Sequence, residues 1–121
     1  MQAFEVGHGL FKITLEKALS TARSGDTIYL LPGEYHVNAS IDQHIALVSK
    51  NPENPAAITG CLRITSTNCT FENIVLKNNL SDQHLIVASQ KSRLILKECV
   101  VRDVHNYPAI SLIDSRLEII H

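Results

Sequence analysis

Tryptophan is absent and aromatic residues make up only 5% of the 121-residue chain. A core built on large rings is therefore excluded, and platforms for stacking a sugar are few. Charge of one sign is lacking as well. The 11 basic side chains are balanced by 12 acidic ones, for a formal net charge of −1, and acids and bases alternate instead of forming blocks. That pattern describes a solvated surface, so no nucleic-acid partner is expected. Long apolar runs are also missing: none exceeds about five residues, against the roughly 20 that a membrane span needs. The start Met1-Gln2-Ala3-Phe4-Glu5 has neither the basic nor the apolar region of a signal peptide. The expectation is a cytoplasmic chain with no membrane partner, although a signal removed from a longer gene product would leave the same sequence.

Cysteine is scarce and odd in number. Cys61, Cys69 and Cys99 fit no C-x-x-C or Cys/His spacing, so reduced thiols are expected, with neither a disulfide framework nor a zinc site. The six histidines are scattered, several of them just before apolar triplets where a turn residue belongs. No metal and no cofactor are expected.

What the chain has instead is aliphatic: Ile, Val and Leu together number 35. Such a composition suits narrow β layers. Within residues 14–24, Leu15, Ala18, Leu19 and Ala22 recur at i, i+3, i+4 and i+7, one apolar stripe on a short helix. Thr14 is placed to cap its start and Gly25 to end it in a left-handed conformation. The run Thr27-Ile28-Tyr29-Leu30-Leu31 follows as a strand that Pro32-Gly33 stops.

Beyond Tyr35 short apolar segments repeat. Shifting the chain by 25 places sets 69–78 beside 94–103, with apolar residues meeting at 69/94, 71/96, 74/99, 75/100 and 76/101. Ser92-Arg93-Leu94 returns as Ser115-Arg116-Leu117, and Ile45-Ala46-Leu47 is an earlier copy. A second series comprises Leu62-Arg63-Ile64, Leu85-Ile86-Val87 and Ala109-Ile110-Ser111. Units of 23 to 25 residues holding about three short strands fit an all-β fold: a short, single-stranded right-handed parallel β-helix of about three to four coils with an N-terminal capping α-helix. Residues 1–35 form the cap and first strand, and 36–121 the coils of a single domain. A leucine-rich repeat and an antiparallel sandwich are the alternatives. In this frame Cys69, Phe71, Ile74 and Leu76 point inward beneath Leu94, Leu96, Cys99 and Val101. Asn73 takes a bend, and Glu72 stands over Lys97.

The stripe of residues 15–22, then Gly25-Asp26-Thr27, then Pro32-Gly33-Glu34-Tyr35, resembles the N-terminal segment of the pectate lyase-like superfamily of parallel β-helix proteins. Pectinesterases and many polysaccharide lyases open in a similar way. The resemblance implies the fold and a structural cap. It implies no chemistry, because the acids and bases that lyases and esterases of this superfamily use in successive coils have no counterpart here. Asp82, Asp103 and Asp114 lie in turns, Arg102 beside Asp103 reads as a solvated turn, and Tyr107 reads as a packed loop residue. No catalytic residue is assigned. On the outer faces Ile86 and Ile110 are expected to form one exposed stripe, and Val75 and Val100 another, unless the loops 50–60 and 104–108 cover them. With Leu117 and Ile119 at the C-terminal coil, Ile86 and Ile110 are the expected interface residues. The function expected is a non-catalytic interaction or assembly module of the kind appended as a domain to a larger protein. Its partner would be a second copy or another protein or domain meeting the open C-terminal end. The alternative is the N-terminal fragment of a carbohydrate-active lyase, hydrolase or esterase, with carbohydrate as ligand and catalytic coils beyond residue 121.

Overall fold

The structure, a computed structural model, describes residues 2–7, 13–77, 84–102 and 108–120. Among the described residues, twelve strands and one helix follow in the order β1 (Ala3–Val6), α1 (Leu15–Thr21), β2 (Thr27–Leu30), β3 (Glu34–Ile41), β4 (Ile45–Ser49), β5 (Ala57–Thr65), β6 (Asn68–Glu72), β7 (Val75–Lys77), β8 (Ile86–Ser89), β9 (Arg93–Lys97), β10 (Val100–Arg102), β11 (Ile110–Leu112) and β12 (Arg116–Ile120). Every paired strand runs parallel to its neighbour. The antiparallel sandwich is thereby excluded. The chain is a parallel β-solenoid of about 4 turns with one short helix near its N-terminus.

The first face is the sheet β1-β2-β4-β6-β9-β12. The second sheet spans the other two faces, because β3 and β5 each continue round a corner. The first residues of β5 pair with β7, and its last four pair with β8. The corner needs Gly60. It has φ +104°, and a Cβ there would collide with the Val37 carbonyl oxygen, so both the backbone conformation and the space demand glycine.

Stacked registers place like residues over like. On the first face Ile28, Leu47, Phe71, Leu96 and Ile119 form one inward file. On the second, Tyr35, Ile58, Leu76 and Val101 form another, and on the third, Ile41, Ile64, Ala88 and Leu112. Phe71, Leu76, Ile58 and Ile64 are fully buried. The inward orientation of Cys69, Phe71, Ile74, Leu76, Leu94 and Leu96 is as expected. The bends repeat too: Asn73 and Glu98, one coil apart, both have positive φ (57° and 52°), as do Ser66, Gln90 and Asp114 at the next corner (55°, 59° and 50°). Glu72 lies in register beside Lys97.

Three expectations need correction. A strand, β1, precedes the helix, where Ala3-Phe4-Glu5-Val6 alternates and lays Val6 in the core. The helix ends at Ala22 in extended backbone, so Gly25, with φ +96°, shapes the turn into β2 and does not end the helix. The third correction is one of register: Leu62 pairs with Ile86 and Ile86 with Ile110, one residue off the Leu62/Leu85/Ala109 alignment. Leu85 sits in the corner ahead of β8 and is itself buried. A one-residue slip turns every side chain to the other side of a sheet. Ile86 is therefore fully buried and Ile110 packs partly buried against the core. The exposed Ile86/Ile110 stripe does not form, and the outward residues there are Val87 and Ser111.

The N-terminal end is closed by α1, which packs on β3 and β1 and buries Leu15, Ala18 and Leu19. The Thr14 hydroxyl accepts from the Lys17 amide (3.1 Å), and the Gln43 amide donates to the carbonyls of Leu19 and Ala22 (2.9 Å each). Both ends of the helix are thus satisfied from outside it. Asp26, buried at the start of β2, accepts from the amides of Arg23 (2.7 Å) and Gln2 (2.8 Å). Those two bonds outweigh the effect of burial and hold its carboxyl below the usual range. A depressed carboxylate contributes stability above its unfolded pKa and loses it as pH falls through the folded value. Asp26→Asn is accordingly expected to be less stable than the parent at neutral pH, with the gap narrowing as pH drops below about 4; denaturant titrations across pH read this. Gly60→Ala is expected to cost at least about 1–3 kcal/mol from backbone strain alone, measured by the same titration at pH 7.

Candidate interaction surface

Three inward files, one from each face, run out into solvent at the C-terminal end of the solenoid. Their last members, Ile119, Val101 and Leu112, are 59%, 39% and 40% exposed, whereas the residues beneath them, Leu96, Leu76 and Ala88, are buried. One such side chain stands on each face. Val100, Ile113 and Ile120 add to the same end; among the described residues, Ile13 is the one exposed large apolar side chain elsewhere. Strands β12, β10 and β11 are the last members of their sheet paths, so this apolar surface is bordered by strand edges that carry pairing capacity.

Of the expected interface residues, Ile119 lies in this surface, and Leu117 and Ile110, both in last strands, are half-buried beside it. Ile86 is interior. The second expected stripe is partly realised: Val100 is exposed and Val75 half-buried, and both line a shallow cleft with Pro52 and Pro55. The loop 50–56 is fastened there by Ser49, a buried residue whose hydroxyl donates to the Asn73 carbonyl and accepts from the Ala56 amide (3.0 Å). Asp82, Asp103 and Tyr107 lie outside the described residues.

At the corner leading into the first face is a polar groove of about 610 Å³, lined by Asn68, Lys91, Ser92, Arg93, Asp114, Ser115 and Arg116. Register explains the composition. Asn68, Arg93 and Arg116 occupy the same position in successive coils, preceded by Thr67, Ser92 and Ser115. The serines satisfy the corner backbone: Ser92 donates to the Ser89 carbonyl (2.7 Å), and its own amide donates to Ser115 Oγ (3.1 Å), while the Thr67 hydroxyl meets His44 Nδ1 (3.1 Å). Arg93 pairs with Glu118. His44 joins the row from one coil earlier, its Nδ1 accepting from the Asn68 amide (3.0 Å). The returning Ser-Arg-Leu triplet signalled this corner in the sequence, but the Thr67 and Gln43 copies of its serine, differing in type, hid how far it extends.

Among the described residues, no group of three or more His, Cys, Asp or Glu could hold a metal ion. The three cysteines are free; Cys69 is buried and Cys61 and Cys99 are half-buried. Burial pushes the thiols of Cys69 and Cys99 up, for Cys99 against several backbone hydrogen bonds that lower it. Compared with models of protein families, with curated proteins and with solved structures, the chain gives no match.

Two measurements check this geometry. A thiol reagent on the native protein is expected to modify Cys61 first and Cys69 only on unfolding; equal rates at the two would contradict the inward placement of the 69/94 file. Ser49→Ala is expected to cost about 1–3 kcal/mol because it strips the Ala56 amide of its acceptor, read by denaturant titration.

Proposed function

We propose that this domain is a non-catalytic interaction and assembly module that engages a partner through the open end of its coil. The observation that carries this reading is the emergence of three core files, one from each face, into solvent at one place. Soluble domains rarely leave so much contiguous aliphatic surface uncovered unless it makes contacts. The likeness of residues 14–35 to the pectate lyase-like superfamily supports a capped β-helix scaffold at the opposite end, leaving the C-terminal end as the one with surface to offer.

A second reading has one observation in its favour. The groove at Asn68, Lys91 and Arg116, which Asp114 and the Glu118-paired Arg93 also line, offers cationic and amide donors along successive coils, an arrangement suited to the carboxylates of an acidic carbohydrate and in keeping with an N-terminal portion of a carbohydrate-active enzyme. Calorimetry with an oligogalacturonate separates the two readings. Heat that saturates, and that Arg116→Ala removes, favours the second.

For the first reading, light scattering over a range of concentrations is expected to find a dimer or higher oligomer, and Ile119→Lys is expected to abolish it by placing a charge in the contact. A mass that stays monomeric at every concentration contradicts self-association. An oligomer indifferent to Ile119→Lys contradicts the location.

A further inference from the structure

We propose that two copies of this chain join at their C-terminal ends about a two-fold axis, their β12 strands antiparallel and Leu117 of one facing Leu117 of the other. This rests on the interaction-module reading and specifies the partner and the geometry. In a parallel ladder alternate residues bond the neighbouring strand. The Arg116 amide donates to the Ser92 carbonyl, and the Ile120 carbonyl accepts from the Glu98 amide, both at 2.9 Å. Arg116, Glu118 and Ile120 therefore face β9, and Leu117 and Ile119 turn their N–H and C=O groups toward the edge. An antiparallel partner must pair with those two residues.

Charge chooses among the registers this allows. Centring the axis on Leu117 sets Arg116 opposite Glu118 of the second copy, twice by symmetry, at the closely spaced positions between hydrogen-bonded pairs. Glu118, already paired with Arg93, then lies between two guanidinium groups. Centring on Glu118 would oppose two carboxylates, and centring on Ile119 would leave Arg116 without a counter-charge in the second copy. The same axis lays the β10 edge of one copy over the β11 edge of the other, so that Val101 meets Leu112 and the exposed ends of the files cover one another. Head-to-tail stacking is obstructed because α1 occupies the opposite end, packed on β3 and β1. Contact between identical ends is isologous and closes at two copies.

The test uses the full 121-residue chain carrying Cys61→Ser and Cys99→Ser. Arg116→Cys and Glu118→Cys are made separately, and each protein is oxidised mildly, alone and after mixing. The mixture is expected to yield a disulfide-linked dimer at least about tenfold more readily than either protein alone, because cross-strand pairs at close positions have the Cα separation a disulfide accepts. Cross-linking of Glu118→Cys with itself, or a dimer by light scattering that no mixture cross-links, overturns the proposed register while leaving self-association standing. A monomer at all concentrations, for the parent chain, overturns both. As a measurement independent of cysteine chemistry, Arg116→Glu in the otherwise unaltered chain is expected to raise the dimer dissociation constant about tenfold; an unchanged constant overturns the charge-selected register.

Discussion

Each coil is held in place by the one before it, through a parallel ladder whose register keeps aliphatic side chains directly above one another. Ile28, Leu47, Phe71 and Leu96 stand in one such file, and neither the strands nor the corners make sense without it. A single coil would leave three short strands with an apolar inner surface and nothing to bury it against. Stacking removes that surface from water, and it also forces the corners to coincide. Positive φ at Asn73 must return at Glu98, even though glutamate has no special tolerance for it. The coil thus carries local backbone strain at residues such as Glu98, sustained by the packing on either side.

The same constraint explains the two ends. At the start, the core is covered by α1, whose alanines allow a close approach, and the chain is drawn together by the buried Asp26 carboxylate and by Gln43 at the helix's last carbonyls. At the other end the files continue unchanged in character, Leu96 to Ile119 and Leu76 to Val101, up to the last described strands. A file that continues into solvent is a surface with the shape and chemistry of a protein core cut across. The edges around it, from three faces, can hydrogen-bond as well as pack, which sets them apart from an ordinary greasy patch.

Much of this was legible in the residues, for a physical reason: a repeat that must stack on itself leaves the same residue classes at a fixed offset. The offset of 25 between Cys69/Phe71 and Leu94/Leu96 is the observed register, and the 23-residue return of Ser-Arg-Leu marks the true corner. The error at Ile86 has the same origin. Leu85, Ile86 and Val87 are all aliphatic, so their alternation cannot be read from type, and the corner that buries both Leu85 and Ile86 is set by backbone geometry. Strand β1 alternates legibly but is only four residues long, too short to stand out without its pairing to β2. Polar stitching was less legible: Asp26 and Ser49 look like ordinary turn residues until their partners, 24 residues away, are brought beside them.

If the exposed end is where this domain makes contact, its backbone should report that directly. Site-resolved amide exchange measured at low and high protein concentration compares Leu117 and Ile119, whose amides face outward from the last strand, with Leu94 and Leu96 one coil below. Slower exchange at Leu117 and Ile119 with rising concentration, with Leu94 and Leu96 unchanged, is the predicted result. Exchange at Leu117 and Ile119 that stays fast and independent of concentration would contradict the account.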